Sequence, residues 1–288
     1  MTDAALAVLF AVFIWWFSTG IVLLLNGMQR HAYRWSLGLS SLLALAALYA
    51  LAHTARQTGM AATYCAFTSA LLVWGWHELS FLTGWVTGPR TTAIAPGLRG
   101  WPRFVEAVRA ILWHELAIAA VGLVIVAATW GAPNQTGTWT FLVLWSMRTS
   151  AKLNLFLGVR NLSEEFLPPH LAYLESFFRR RAMNPLFPLS VGAASGVLGW
   201  MILRAMSPTV SDAEVLGLTL VATMLALAIL EHWMLVLPLS TTALWRWAMS
   251  KRSHATSATA PTPHYKNAPR AEAAPPSLDR DDKLLHAR

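Results

Sequence analysis

Seven stretches of this chain are each long enough and apolar enough to cross a lipid bilayer, which a soluble domain has no means of hiding. A membrane-spanning helix needs roughly 20 mostly apolar residues, and the windows 4–26, 34–53, 60–86, 106–130, 139–158, 186–206 and 213–238 each supply them. Hydrocarbon offers no partners to backbone amides, so each window has to satisfy its own as a helix. The expected fold is therefore all-α, a polytopic membrane helical bundle of about seven transmembrane helices. Composition agrees: only 12% of the 288 residues are charged, about half the share in soluble domains. Many of the 15 Trp residues stand near window ends, where indole rings favour the membrane–water boundary.

Lys and Arg fall at alternate ends of the windows: Arg30 and Arg34; Arg90, Arg99, Arg103 and Arg109; Arg160 and Arg179 to Arg181; Arg246, Lys251 and Arg252. The opposite ends hold Arg56 and Arg204 alone. The positive-inside rule then predicts an outside N-terminus, a cytoplasmic C-terminus and an odd number of spans. The same asymmetry accounts for the net charge of +8 without nucleic acid as a partner. The first window lacks the basic start and small-residue cleavage site of a signal peptide and reads as a retained span. Cys65 is the single cysteine, which excludes an intramolecular disulfide and a thiolate metal cluster.

Between the fifth and sixth windows, residues 161–181 carry Pro168 and Pro169, then Leu171, Leu174, Phe177 and Phe178 at three- to four-residue spacing, and end on Arg179-Arg180-Arg181. That pattern predicts an interfacial cytoplasmic helix with its apolar side on the membrane and Arg179, Arg180 and Arg181 among lipid phosphates or against an acidic partner. A plain basic stop-transfer flank is the alternative. Residues 251–288, rich in Ser, Thr, Ala and Pro, read as a disordered cytoplasmic tail. No phosphate loop, dinucleotide fingerprint, nucleophile elbow or internal repeat is present.

Within the windows, His77-Glu78, His114-Glu115 and, in reverse order, Glu231-His232 place imidazoles beside carboxylates. With alternating helices and about 1.5 Å of rise per residue, all three pairs fall in one half of the membrane. Arg148, Lys152 and Asn154 lie at comparable depth on the fifth window. Ionisable groups at such depth need partners, protons or a metal.

Three readings stand side by side. In the structural reading, the carboxylates pair with Arg148 and Lys152 while the imidazoles bond between helices. In the pigment reading, His77, His114 or His232 ligates the magnesium of a chlorin such as bacteriochlorophyll. In the enzyme reading, the same histidines with Glu78, Glu115 and Glu231 bind a transition metal, iron, manganese or zinc, in an intramembrane oxidoreductase acting on a pigment, quinone or carotenoid. A proton path is a further possibility. None of the spacings is a recognised metal signature. His31, His53, His254, His264 and His286 read as solvated. So does His170, with Glu164, Glu165 and Glu175, unless it caps the buried layer from the cytoplasm.

Several motifs carry a resemblance. Trp15-Trp16-Phe17-Ser18-Thr19-Gly20 with Leu23-Leu24-Leu25-Asn26, the run from Ala66-Phe67-Thr68 to Trp76-His77-Glu78, Lys152-Leu153-Asn154 through Arg160-Asn161, and Tyr173-Leu174 through Arg181 with Asn184-Pro185-Leu186-Phe187-Pro188 resemble the photosynthetic complex assembly protein PuhE family over about residues 10–250. The resemblance implies a multi-pass protein of the inner (intracytoplasmic) membrane of purple phototrophic bacteria, encoded near the reaction-centre H-subunit gene. It implies a role in accumulation of the reaction centre with its antenna. Its partners would be membrane lipids, reaction-centre and light-harvesting core subunits, and other assembly factors. It brings no reaction and no catalytic residues.

Overall fold

Glycines, prolines and side-chain caps set where the apolar runs break into helices. The computed structural model describes residues 2–162, 164–237, 245, 247 and 248; the expected disordered tail, 251–288, lies outside them. The described residues form α1 (Thr2–Asn26), α2 (Tyr33–Thr54, entered through a 3-10 turn at Arg30–Ala32), α3 (Met60–Leu82), α4 (Gly100–Thr129), α5 (Thr136–Leu157), α6 (Leu186–Ala205) and α7 (Asp212–Val236). The chain is an all-α membrane helical bundle.

Three boundaries show the local logic. α3 stops at Leu82 rather than near 86, because Gly84 takes the left-handed conformation (φ 81°) and the amides of Trp85 and Val86 turn back onto the Ser80 carbonyl. α4 begins at Gly100 rather than near 106, since Pro102 falls in a first turn, where a missing N–H costs nothing. α7 opens on Ser211 as its N-cap, the hydroxyl accepting from the Glu214 amide (3.3 Å).

Five helical segments are long and apolar enough to cross a membrane: Asp3–Asn26, Arg30–Thr54, Gly100–Thr129, Leu186–Ala205 and Asp212–Val236. α3 and α5, which cover the expected spans 60–86 and 139–158, fall short on apolarity because they carry His77, Glu78, Arg148, Lys152 and Asn154. They are also the inner helices. α3 packs on α1, α2, α4, α5 and α7, and α5 on α3, α4, α6 and α7. Surrounding helices thus take the place of lipid around the polar pair. The closeness of that inner contact shows at Gly137, where a Cβ would stand 2.9 Å from the Ala66 carbonyl oxygen across the α5–α3 crossing.

Residues 161–181 correct the sequence expectation. The segment is not an interfacial α-helix but two 3-10 pieces, Glu164–Phe166 and Pro169–Phe177. Its apolar side is spent on protein, not on lipid: Leu171, Leu174 and Phe177 are buried against Phe81, Leu82 and Ala110 at the Arg-rich end of α3 and α4. The physical reason is in the spacing, because residues three apart eclipse on a 3-10 helix, and 171, 174 and 177 are three apart.

This cap is tied down at several points. His170 Nε2 donates to the Leu82 carbonyl (2.9 Å), closing the end of α3. The buried Arg103 guanidinium lies 4.1 Å over the Phe156 ring and donates to the carbonyls of Phe156 and Phe177, where the negative end of the α5 dipole answers its charge. Arg179 and Arg181 hydrogen-bond through their backbones to Leu155 and Val159, and the Arg180 side chain pairs with Glu164. Burial pushes the Tyr173 phenol above its usual range, so it stays neutral.

Candidate functional site

Arg148 and Lys152 are one helical turn apart on α5 and so share a face. Arg148 donates to Glu78 on α3 (3.1 Å) and Lys152 to Glu115 on α4 (2.5 Å). These two ion pairs fasten the inner helix to its neighbours. Lys152 also sits 5.9 Å from the Phe81 ring centroid.

The third carboxylate, Glu231 on α7, accepts from Trp15 Nε1 on α1 (3.0 Å) and lies within electrostatic reach of Arg148. Trp15 in turn packs edge-on against Trp245 at 5.5 Å. Four helices therefore meet around one charged group.

Their meeting place is open. On the Thr2 side of the bundle, α1, α3 and α7 close tightly through Ala7, Ala11, Phe67, Leu71, Leu220 and Met224. One to two turns further on, the Arg148 side chain is 44% exposed and Glu231 is exposed, although α5 is ringed by other helices. A charge facing lipid at this depth is costly. The exposure instead describes a charged vestibule between α1, α3, α5 and α7, walled by Trp15 and Glu78. The second carboxylate oxygen of Glu78 is buried and has no hydrogen-bond partner among the described residues.

The histidines behave differently. Consecutive helical residues point about 100° apart, so where Glu78 and Glu115 reach their cations, His77 and His114 turn into the closed contact between α3 and α4. They are 0% and 1% exposed, with ring centroids 6.4 Å apart and planes at 75°. Phe81 lies 4.5 Å from the His114 ring, while Trp76 and Phe141 lie 5.0 and 6.1 Å from His77. None of the four ring nitrogens has a hydrogen-bond partner among the described residues. Each such orphan costs about 1–3 kcal/mol.

His232 stands apart from this pair. Its Nδ1 donates to the Ala228 carbonyl (2.9 Å), which leaves Nε2 to accept the Ser150 hydroxyl (2.9 Å), so both nitrogens are engaged. Asn154 is structural as well, donating to the Ser150 carbonyl and receiving Asn184 from the start of α6.

The three histidines do not fit a chlorin. Such a ring needs a free imidazole nitrogen facing a slot for a macrocycle; His232 has no free nitrogen, and His77 and His114 are enclosed by aromatic rings. A mixed imidazole–carboxylate centre for iron, manganese or zinc finds no support either. Among the described residues no group of three or more His, Cys, Asp or Glu is placed to hold a metal, and Glu78 and Glu115 face cations.

Residues that sequence reasoning passes over complete the site. The Thr87 carbonyl accepts the His114 amide (2.9 Å) from outside α4, and Gly88 lies so close to the Arg109 carbonyl that a Cβ would clash. That loop sets where the His114 ring stands. Trp15 and Ser150 have a weaker signal: Trp15 is one of two adjacent indoles in an apolar run, and Ser150 lies between Arg148 and Lys152.

Comparison with known proteins adds a context. A family model described as "Protein of unknown function (DUF3623)" matches residues 1–256. An "Uncharacterized 30.4 kDa protein in puhA 5'region" from Rhodobacter capsulatus is 39% identical over 256 residues, covering 86% of this chain and 92% of that protein. No solved structure matches.

Proposed function

The chain belongs to the DUF3623 family, and we propose that it is an inner-membrane factor supporting accumulation of the photosynthetic reaction centre with its antenna. The observation that carries this reading is the place of the Rhodobacter capsulatus relative, named for the region 5′ of puhA. The resemblance to the PuhE family points the same way. On this reading all seven α-helices cross the membrane, the Arg-rich end with its 3-10 cap faces the cytoplasm, and the N-terminus is outside. Arg179, Arg180 and Arg181 then lie where anionic lipid or an acidic partner subunit would meet them.

Between pigment handling and handling of a partner helix, the geometry favours the partner. The layer offers no histidine to a chlorin, whereas the vestibule offers the exposed Arg148 and Glu231 to polar groups of another chain. The test is deletion of the gene in its phototrophic host, with complementation, followed by near-infrared absorption of the membranes. The reading expects core-complex bands to fall on deletion and return with the gene. Unchanged bands in the deletion strain would contradict it.

A further inference from the structure

We infer that the groove between the C-terminal ends of α2 and α4 binds one phospholipid with an anionic headgroup, its phosphodiester held by Arg56 with His53 and Gln57. The groove lies at the opposite end of the bundle from the Arg-rich cap, in whichever leaflet meets that end. The inference depends neither on the charged vestibule nor on the assembly role.

Arg56 is the starting point. Lys and Arg gather at the other end of the helices, and Arg56 and Arg204 are the exceptions. Arg204 has its counter-charge in Glu214 (3.0 Å). Arg56 is exposed and has no ion pair among the described residues. The loop segments beside it, 55–59 and 130–135, contain no carboxylate to supply one. A cation standing against the charge asymmetry of the chain, with no acid near it in sequence, is one half of a pair whose other half comes from outside.

A cavity of about 550 Å³ opens beside it, lined by Tyr49, Ala52, His53, Arg56, Gln57 and Ala128, a size that suits a small polar group. The small side chains of Ala52 on α2 and Ala128 on α4 leave it unfilled. Its walls are fixed, because the Asn134 amide donates to the Ala55 carbonyl (2.9 Å) and the Asn134 side chain to the Thr54 carbonyl (3.1 Å). Those bonds also occupy carbonyls at the end of α2 that would otherwise oppose an anion. The donors fit a phosphodiester: a guanidinium binds phosphate oxygens as a two-pronged fork, and a carboxamide and an imidazole N–H add to it. His53 is held parallel to the Tyr49 ring one turn away, with centroids 6.1 Å apart and planes within 7°, which fixes the plane of the imidazole.

A lipid, not a free phosphate, is selected by what adjoins the donors. Leu42, Leu45 and Tyr49 precede His53 at three- and four-residue spacing, and Ala120 and Val124 precede Ala128 at four. Residues so spaced share a helix face, and all five are exposed. Apolar strips thus run from the polar end of the groove along both helices, where acyl chains would lie. Tyr49 and the exposed Trp130 place the donors at the level of headgroups, where such rings collect. Arg56 repels choline and ethanolamine, so a glycerol headgroup, as in phosphatidylglycerol, is the better match.

The experiment uses the full chain, delipidated in detergent, with native mass spectrometry counting bound lipid as phosphatidylglycerol or phosphatidylcholine is added. The expected result is one phosphatidylglycerol bound well before phosphatidylcholine. Arg56→Gln should weaken that binding roughly tenfold, the worth of one hydrogen bond to a charged group. Ala128→Phe, which fills the groove and leaves the charge, should weaken it as much. Both positions are exposed and each variant removes a different half of the site, so misfolding of one leaves the other to decide. Replacing Arg179, Arg180 and Arg181 together with Gln should leave the Arg56-dependent lipid in place. Undiminished binding in R56Q or in A128F would overturn the site, as would equal affinity for phosphatidylcholine. Displacement of the lipid by an equal concentration of glycerol 3-phosphate would overturn it too, since it would show a site for a free phosphate.

Discussion

The closed contact between α3 and α4 and the open space between α1, α3, α5 and α7 are built from the same dipeptides. His77 and His114 are excluded from solvent; their neighbours Glu78 and Glu115 hold cations at the edges of accessible space. A step of one residue is enough, since it turns a side chain by about 100°. One level of the bundle therefore carries two environments, one dry and aromatic, the other polar and accessible. A count of charges by depth merges them; the phase of each helix separates them.

The largest change should come from opening the dry side. Phe81→Ala deletes the buried ring beside His114 and should cost about 3–5 kcal/mol, read as a lowered unfolding midpoint in mixed micelles. If the α3–α4 contact were already loose, the loss would fall below about 1 kcal/mol.

Next comes the pair that borders both regions. Lys152→Met leaves the partly buried Glu115 without a cation, and with both side chains under a quarter exposed the loss should approach about 3 kcal/mol. Adding Glu115→Gln should recover most of it. Absence of such recovery would show that Lys152 acts through its contact with Phe81 and not through charge.

Arg148→Met should be milder. Its side chain is 44% exposed, water screens it, and about 1 kcal/mol is expected. A loss equal to that of Lys152→Met would mean that the vestibule is dry. The smallest effect belongs to Trp15→Phe, which removes one donor to Glu231 for about 1 kcal/mol or less, seen in the same unfolding series.

Much of the helical plan is legible in the sequence, because long apolar runs bounded by Gly, Pro and Arg leave few alternatives. Helix ends are less so. Gly84 stops α3 early through a backbone conformation, and Pro102 is accepted by α4 because of its place in the first turn. The 161–181 segment shows a subtler limit: an amphipathic face looks the same whether it meets lipid or protein, and only its spacing of three, at Leu171, Leu174 and Phe177, hints at the 3-10 cap that buries it. In the candidate site, the shared depth of the charges and the role of Arg148 and Lys152 as counter-charges are legible. The separation of His232 from His77 and His114 is not, for it depends on how α7 is turned towards Ser150. The Thr87 contact with His114 depends on a loop folding back along α4, which no local pattern announces.

The division of one polar layer into a dry and an accessible half is tested most directly by thiol labelling. In a Cys65→Ser background, Glu231→Cys and His114→Cys are introduced singly, and the folded full chain is exposed to a charged, membrane-impermeant maleimide. The account predicts that E231C is modified at a rate approaching that of the denatured chain, while H114C reacts only after unfolding. Equal protection of the two, or faster modification of H114C, would contradict it.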